Sequence, residues 1–492
     1  MKMEKLQSIH EIRKKIDKDY IGFIPQNTSV KPVHIANGLF KRFYGCAYDT
    51  KNISKISYVH KANGKVPKGQ SDEEVKMYFE KYNKMIGDHI NFDDFKSFRL
   101  FLQDIINVDK GVFKEKSSMI AFSLTSKMFL NTDNIYQDAG EFIAAVISSV
   151  SPELVNIVKE SLEDDWDPIS ILFAPAKITD QPKQVYNENK FEDVISYKNN
   201  NWSNFLSKLK SSSIVFAKNL RHIPNKMVRL RLVNFFAILQ LIIYLFSLES
   251  LYDSKKSVQP LLFDCSDNNG SSIAKSSQIC MIKSIQSVAR VYIYFFKEYL
   301  VERYSIDELI SSEVPIYEEG KQRKHEDGYT EIWQMAKNDV LEVENTDEKF
   351  TIFAQALYDM LILDASAEIK LYLIKLGSVS GIFYPPTTVS KNQFKRIVFS
   401  QEYVEILVKS CVESDEIITM NELLNRLYNN FNIIIGGRDQ DEQILKQNGI
   451  TQLDEEALKE NQRFFEDKLR VLNFAEIMAD GIMQIRIGGN LK

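Results

Sequence analysis

The chain has 492 residues, 44% of them hydrophobic, and carries 62 Lys and Arg against 67 Asp and Glu, a formal net charge of -5. That length exceeds what one hydrophobic core serves, so two to four domains are expected, and the apolar fraction excludes a disordered chain. With only 19 Gly and 12 Pro, long helices are favoured over a sandwich or barrel of many short strands.

Cys46, Cys265, Cys280 and Cys411 lie far apart, with no C-x-x-C and no clustered His. This speaks against a disulfide framework or a Cys-based zinc site and fits reduced thiols in a cytoplasm. Residues 1–20 are charged and amphipathic without an apolar core, unlike a signal peptide.

By pattern the chain divides into residues 1–70, 71–183, 184–312, 313–349 and 350–492. Residues 31–68 are basic, with eight Lys or Arg facing only Asp49. Glycines there mark turns, so short strands or loops are expected. At Ser71 a capping box, Ser71-x-x-Glu74, opens a helical domain, and Ser151-Pro152 reads as an N-cap followed by proline at the first helical position. Residues 194–248 contain no Asp or Glu over 55 positions, although the chain is about one-seventh acidic. Within them, residues 232–248 form a 17-residue uncharged run. This falls short of the roughly 18 to 20 residues a membrane span needs and carries Asn234, Gln240 and Ser247, so a buried core helix is expected and no membrane contact. An apolar helix over 279–304 resumes the core. Residues 313–349 read as a polar linker or surface excursion, and 350–376 as a helix stopped by Gly377.

The last hundred residues have the clearest local grammar. A helix follows Ser400, Thr419-x-x-Glu422 opens another, Gly449 closes a short one, and Leu458, Phe465 and Leu469 define a longer one. Residues 474–487 read as a hairpin about Asp480-Gly481, with Met483, Ile485 and Ile487 alternating with polar neighbours. The fold expected is mainly α and multi-domain, with a C-terminal winged-helix-like domain ending in a β-hairpin.

No catalytic signature is readable. The nearest lookalike of a phosphate loop, residues 269–276, has Asn269 and Ala274 where glycines are required. Asp364 with Glu368-Ile369-Lys370 resembles a nuclease triad only in a triplet that recurs at Glu74, Glu188, Glu319 and Glu466. The six histidines never pair as H-x-x-x-H or H-x-H, and Gly377 to Gly381 centres on Val379 where a nucleophile elbow needs serine. The expectation is a chain without catalytic residues, metal or cofactor.

What remains is charge zoning. Lys41, Arg42, Lys208, Lys210, Lys218, Arg221 and Arg229 are candidate phosphate contacts, and Phe43 and Tyr44 candidate stacking platforms for an exposed base. The competing reading pairs these cations with acidic surfaces of the protein or of a partner subunit. Residues 401–480 hold 17 acids and 8 bases, net -9, which repels a phosphate backbone and favours protein docking. Only their leading edge, Lys391, Lys395 and Arg396, is basic enough for a DNA contact.

The run Phe431 to Asp439 (FNIIIGGRD), then Asn448-Gly449-Ile450, Asn461, Leu469 and the Ala479-Asp480-Gly481 hairpin, resembles the end of DptG-type subunits of phosphorothioation-dependent DNA restriction. The resemblance covers about a quarter of the chain and brings no active site. It implies a cytoplasmic bacterial protein working beside ATPase or helicase subunits that recognise modified DNA. The expected function is a non-catalytic scaffold of a restriction or anti-phage complex, bridging DNA and motor partners. A metal-dependent nuclease subunit and a winged-helix transcriptional regulator are the alternatives. The sequence carries no signal for oligomeric state.

Overall fold

A computed structural model describes residues 9–25, 30–47, 73, 76–77, 79–80, 91–95, 97, 130, 138–163, 191–195, 200–266, 268–312, 326–363, 368–386, 395–479 and 481–488. They contain sixteen α-helices and seven short strands, so the protein is mainly α. Helix α1 (Ile9–Ile16) runs into a π turn (Asp17–Ile21), followed by α2 (Pro32–Tyr44), α3 (Asp138–Val150), α4 (Pro152–Glu163), α5 (Glu192–Ile195), α6 (Asn200–Arg221) and α7 (Lys226–Tyr252). Strand β1 (Leu261–Leu262) leads to α8 (Ser272–Arg303), α9 (Ile306–Ser311), α10 (Glu326–Leu341), α11 (Thr346–Leu363) and α12 (Glu368–Ser380). After β2 (Phe383–Tyr384) and β3 (Arg396–Ile397) come α13 (Gln401–Lys409), β4 (Ile417–Thr419), α14 (Met420–Phe431), β5 (Ile433–Ile434), α15 (Asp441–Gln447), α16 (Glu455–Val471), β6 (Ala475–Ile477) and β7 (Met483–Arg486).

Two compact units form, one of residues 1–30, 191–208 and 240–492, the other of 31–190 and 209–239. This replaces the five consecutive segments expected from pattern. The reason is that α6 and α7 each belong partly to both units, so composition along the chain does not follow the packing.

In the second unit, residues 32–44 are a helix and not the strands or loops expected. Pro32 opens it, and Val33, Ile35, Ala36, Leu39, Phe40 and Phe43 all turn inward. Gly45 ends it in the left-handed region. Gly38, which looks like a turn in the sequence, lies within the helix at a close crossing with α3. A Cβ on Gly140 would stand 2.3 Å from the Ile35 carbonyl and 3.1 Å from the Gly38 Cα. Pro152 does start α4, but the buried Ser151 hydroxyl makes no hydrogen bond and does not cap it. The capping box at Ser71 and most of the helices expected over 71–130 lie outside the described residues.

In the first unit, β1 pairs in parallel with β5, Leu261 opposite Ile433 and Leu262 opposite Ile434, and Phe263 bridges in parallel to Ile397 of β3. Asn461 of α16 locks the ladder. Its Nδ2 donates to the Phe263 and Ile435 carbonyls at 2.8 and 2.7 Å, and its Oδ1 accepts from the Cys265 N–H at 2.8 Å. The C-terminal region is thereby built onto residues 261–277 and is not a separate domain over 350–492. β4, β7 and β6 form an antiparallel sheet in that order, with Ile418 and Ile485 paired on the buried face. The expected hairpin is its β6–β7 half; β4 is the strand the sequence hides.

Two further expectations change. Much of 313–349 is helix: α10 places Trp333, Ala336 and Val340 at i, i+3 and i+7 in the core, with the Trp333 ring 4.8 Å from that of Phe353. Helix α12 continues past Gly377 to Ser380, and Gly381 at φ +86° ends it. Gly377 is needed elsewhere, since a Cβ there would lie 2.1 Å from the Phe383 ring. Among the described residues α7 and α8 are long and apolar enough to cross a membrane. However, 94% of the apolar window of α7 is buried inside the protein, as expected of a core helix, against 56% for α8.

Candidate nucleic-acid interface

Helix α6 presents the basic residues that stay at the surface. At about 100° per residue, Lys210, Lys218 and Arg221 fall within an arc of roughly 80°, and all three are exposed. Leu209, Phe216 and Leu220 on other faces are buried, and Phe216 stacks on Phe236 of α7 with ring centroids 4.5 Å apart. The helix is held by this apolar seam, so the cations are not needed for packing. Arg221 Nε meets Glu153 Oε1 at 2.5 Å, with Glu160 3.9 Å from its Nη1. Arg231 on α7 is also exposed, its guanidinium 5.7 Å from the Phe235 ring. The missing acids of residues 194–248 already marked this residue.

The other candidates serve the fold. Lys41 is fully buried and pairs with Glu141 of α3 at 2.5 Å, so it is withdrawn as a phosphate contact. Phe43 is 2% exposed and has no free face for a base. Arg42 and Tyr44 are half-buried in the last turn of α2. Lys208 is half-buried and donates to Asn432 Oδ1 at 3.1 Å, and burial lowers its pKa. Arg229 Nε donates to the Ile223 carbonyl, closing the turn between α6 and α7. Lys391 lies outside the described residues. Lys395 is largely buried, donates to the Pro385 carbonyl, and has its pKa lowered by that burial.

Arg396 is also buried. Its Nη1 lies 2.6 Å from Asp264 Oδ2, too poorly aligned for a hydrogen bond but close enough for an ion pair. Its Nη2 donates to Asn269 Oδ1 at 2.7 Å, and its guanidinium lies 5.0 Å from the Tyr384 ring. Burial raises the Asp264 pKa, opposed by its hydrogen bonds from Ser266 and by Arg396. Arg396 thus fastens the loop that looked like a phosphate cradle. In that loop Ser271 caps α8 by accepting from the Ala274 N–H at 3.0 Å, and Ser277 Oγ donates to the Leu262 carbonyl at 2.8 Å.

The residues that carry the DptG resemblance are likewise structural. Gly436 has φ +117°, and a Cβ there would stand 2.3 Å from the Leu458 carbonyl under α16. Arg438 pairs with Asp441 at 2.5 Å and lies 4.0 Å from the Tyr428 ring centroid. Asn448 accepts from Lys283 through its carbonyl at 2.6 Å.

Of the nuclease-like triplet, Asp364 and the Glu368 side chain lie outside the described residues, Ile369 is buried, and Lys370 packs 5.3 Å from the Tyr358 ring. Among the described residues no three His, Cys, Asp or Glu side chains are grouped to hold a metal ion. No protein-family model and no curated protein matches the chain.

Proposed function

We propose that the protein is a non-catalytic scaffold subunit of a DNA-targeting defence complex, touching DNA through α6 and binding motor partners through its acidic C-terminal region. The observation that carries the DNA half is the exposed row Lys210, Lys218 and Arg221, in a stretch of 55 residues without an acid. Three cations spaced over about 17 Å of helix axis match the span of several phosphates on one duplex face, and they read charge and not sequence. The partner half rests on the net charge of residues 401–480. Their helix–strand–helix order, closed by the sheet β4–β7–β6, supports reading them as a winged helix, and the acids favour protein over phosphate as its partner. Its resemblance to DptG-type subunits supports a bacterial, cytoplasmic setting beside an ATPase or helicase.

The test is fluorescence anisotropy with a 30-base-pair duplex across a salt series. The reversal Lys210→Glu, Lys218→Glu, Arg221→Glu is expected to weaken binding more than ten-fold and flatten the salt slope by about three charges. Unchanged affinity in that variant removes α6 from the interface.

A further inference from the structure

The β1, β3 and β5 chains leave their parallel ladder at one end, at Asp264, Val398 and Ile435. In sheets with parallel strands that end collects loops and helix starts, and ligands bind there. A cavity of about 370 Å³ opens beside it, between Cys265 after β1, Phe399 after β3, Val404 of α13, Phe464 and Lys468 of α16, and Leu472 just after that helix. That volume is at the small end of ligand pockets and suits a ring with a short chain. Its walls are mostly apolar: Phe399 and Val404 are buried, and Phe464 stands at the lip with 39% of its surface exposed.

The charges around it are settled with one exception. Asp264 pairs with Arg396, and Asp467, which also borders the cavity, pairs with Arg470 at 3.1 Å. Lys468 faces the cavity; its side chain makes no hydrogen bond or ion pair among the described residues, and its charge acts at longer range on buried Asp264. An apolar recess edged by one cation that no carboxylate contacts directly selects a ligand that is apolar over most of its surface and negative at one end. We infer that this cavity binds a small organic acid, its apolar body against Phe399, Val404 and Phe464 and its carboxylate on Lys468. The site is independent of the DNA reading and stands or falls separately from it.

Saturation-transfer NMR titration of the full chain with phenylbutyrate and with its uncharged analogue phenylbutanol tests this. The acid is expected to bind about ten-fold more tightly than the alcohol, the worth of one charge-assisted contact. Lys468→Met should bring the two within about two-fold of each other, and Leu472→Trp, which fills the recess, should abolish both. Phe464→Glu at the exposed lip removes an apolar wall and adds a like charge, so it should weaken both ligands and the acid more than the alcohol, and the result does not depend on the tryptophan variant folding. Failure of the acid to bind, equal affinity for acid and alcohol in the unaltered chain, or a preference that survives Lys468→Met each overturns the assignment.

Discussion

Residues 31–68 and 194–231 carry nearly the same surplus of positive charge, and the described parts of each treat it in opposite ways. In α2 the apolar positions 33, 35, 36, 39, 40 and 43 cover about 160° of the circumference, but the helix is enclosed on its other side too, with His34, Asn37 and Gly38 also buried, so position 41 points inward as well. Lysine is tolerable there only because Glu141 meets it. In α6 the seam through Leu209, Phe216 and Leu220 is narrower and leaves 210, 218 and 221 outside. A cation count measures how much charge a segment has; whether its helix is enclosed on every side or along one seam decides whether that charge reaches solvent.

The largest effects should come from the buried side of this contrast. Lys41→Met is expected to strand Glu141 in the core and cost about 3 to 5 kcal/mol of stability, read by urea unfolding. Restoring neutrality with Lys41→Met and Glu141→Leu together should recover most of that loss. DNA affinity of the folded double variant should equal that of the unaltered chain, because Lys41 has no part in the interface. If that affinity falls instead, the contrast between the two basic zones fails.

Next in size is a pH effect in the same helix. His34 is buried, its Nδ1 accepts from the Lys31 N–H at 3.3 Å, and burial, reinforced by the Lys31 charge, lowers its pKa to about 4. The unfolded chain takes up this proton near pH 6.5 and the folded chain only near pH 4, so below 6.5 the unfolded state binds more protons. The stability due to neutral His34 is complete above about pH 6.5 and is lost as pH falls toward 4, by about 3 kcal/mol. His34→Gln keeps an acceptor for Lys31 and should flatten that part of the pH–stability curve; an unchanged curve places its cause elsewhere.

How much of this was legible differs by element. The helix cap at Thr419 and the β6–β7 hairpin could be read because their signals are local, a side chain and a backbone N–H three residues on, or a turn and its flanking alternation. Strands β1 and β5 could not be, since each is two residues long and exists only through the other, more than a hundred residues away, held by Asn461. Helix α10 was hidden by its polar exposed face, which dominates composition while three side chains do the packing. Of the candidate interface, the acid-free stretch was visible, yet its division into surface and structural cations was not. Lys208 and Arg229 are half-buried against Asn432 and the Ile223 carbonyl, whereas Lys210 and Lys218 are exposed.

On the exposed side the effects should be on binding and not on stability. Lys210→Glu with Lys218→Glu is expected to lower duplex affinity by about five- to ten-fold at low salt and to leave the thermal midpoint unchanged, since neither side chain is buried. The smallest effect belongs to Arg221. Its charge is already shared with Glu153 and Glu160, so Arg221→Gln should weaken DNA binding less than Lys210→Gln does. Glu153→Gln should strengthen binding modestly by releasing the guanidinium. An Arg221 variant weaker than the Lys210 one would mean that DNA displaces the two carboxylates, and anisotropy at two salt concentrations distinguishes the cases: displacement makes the Arg221 contribution grow as salt screens the exposed pair, while continued pairing keeps it small at both.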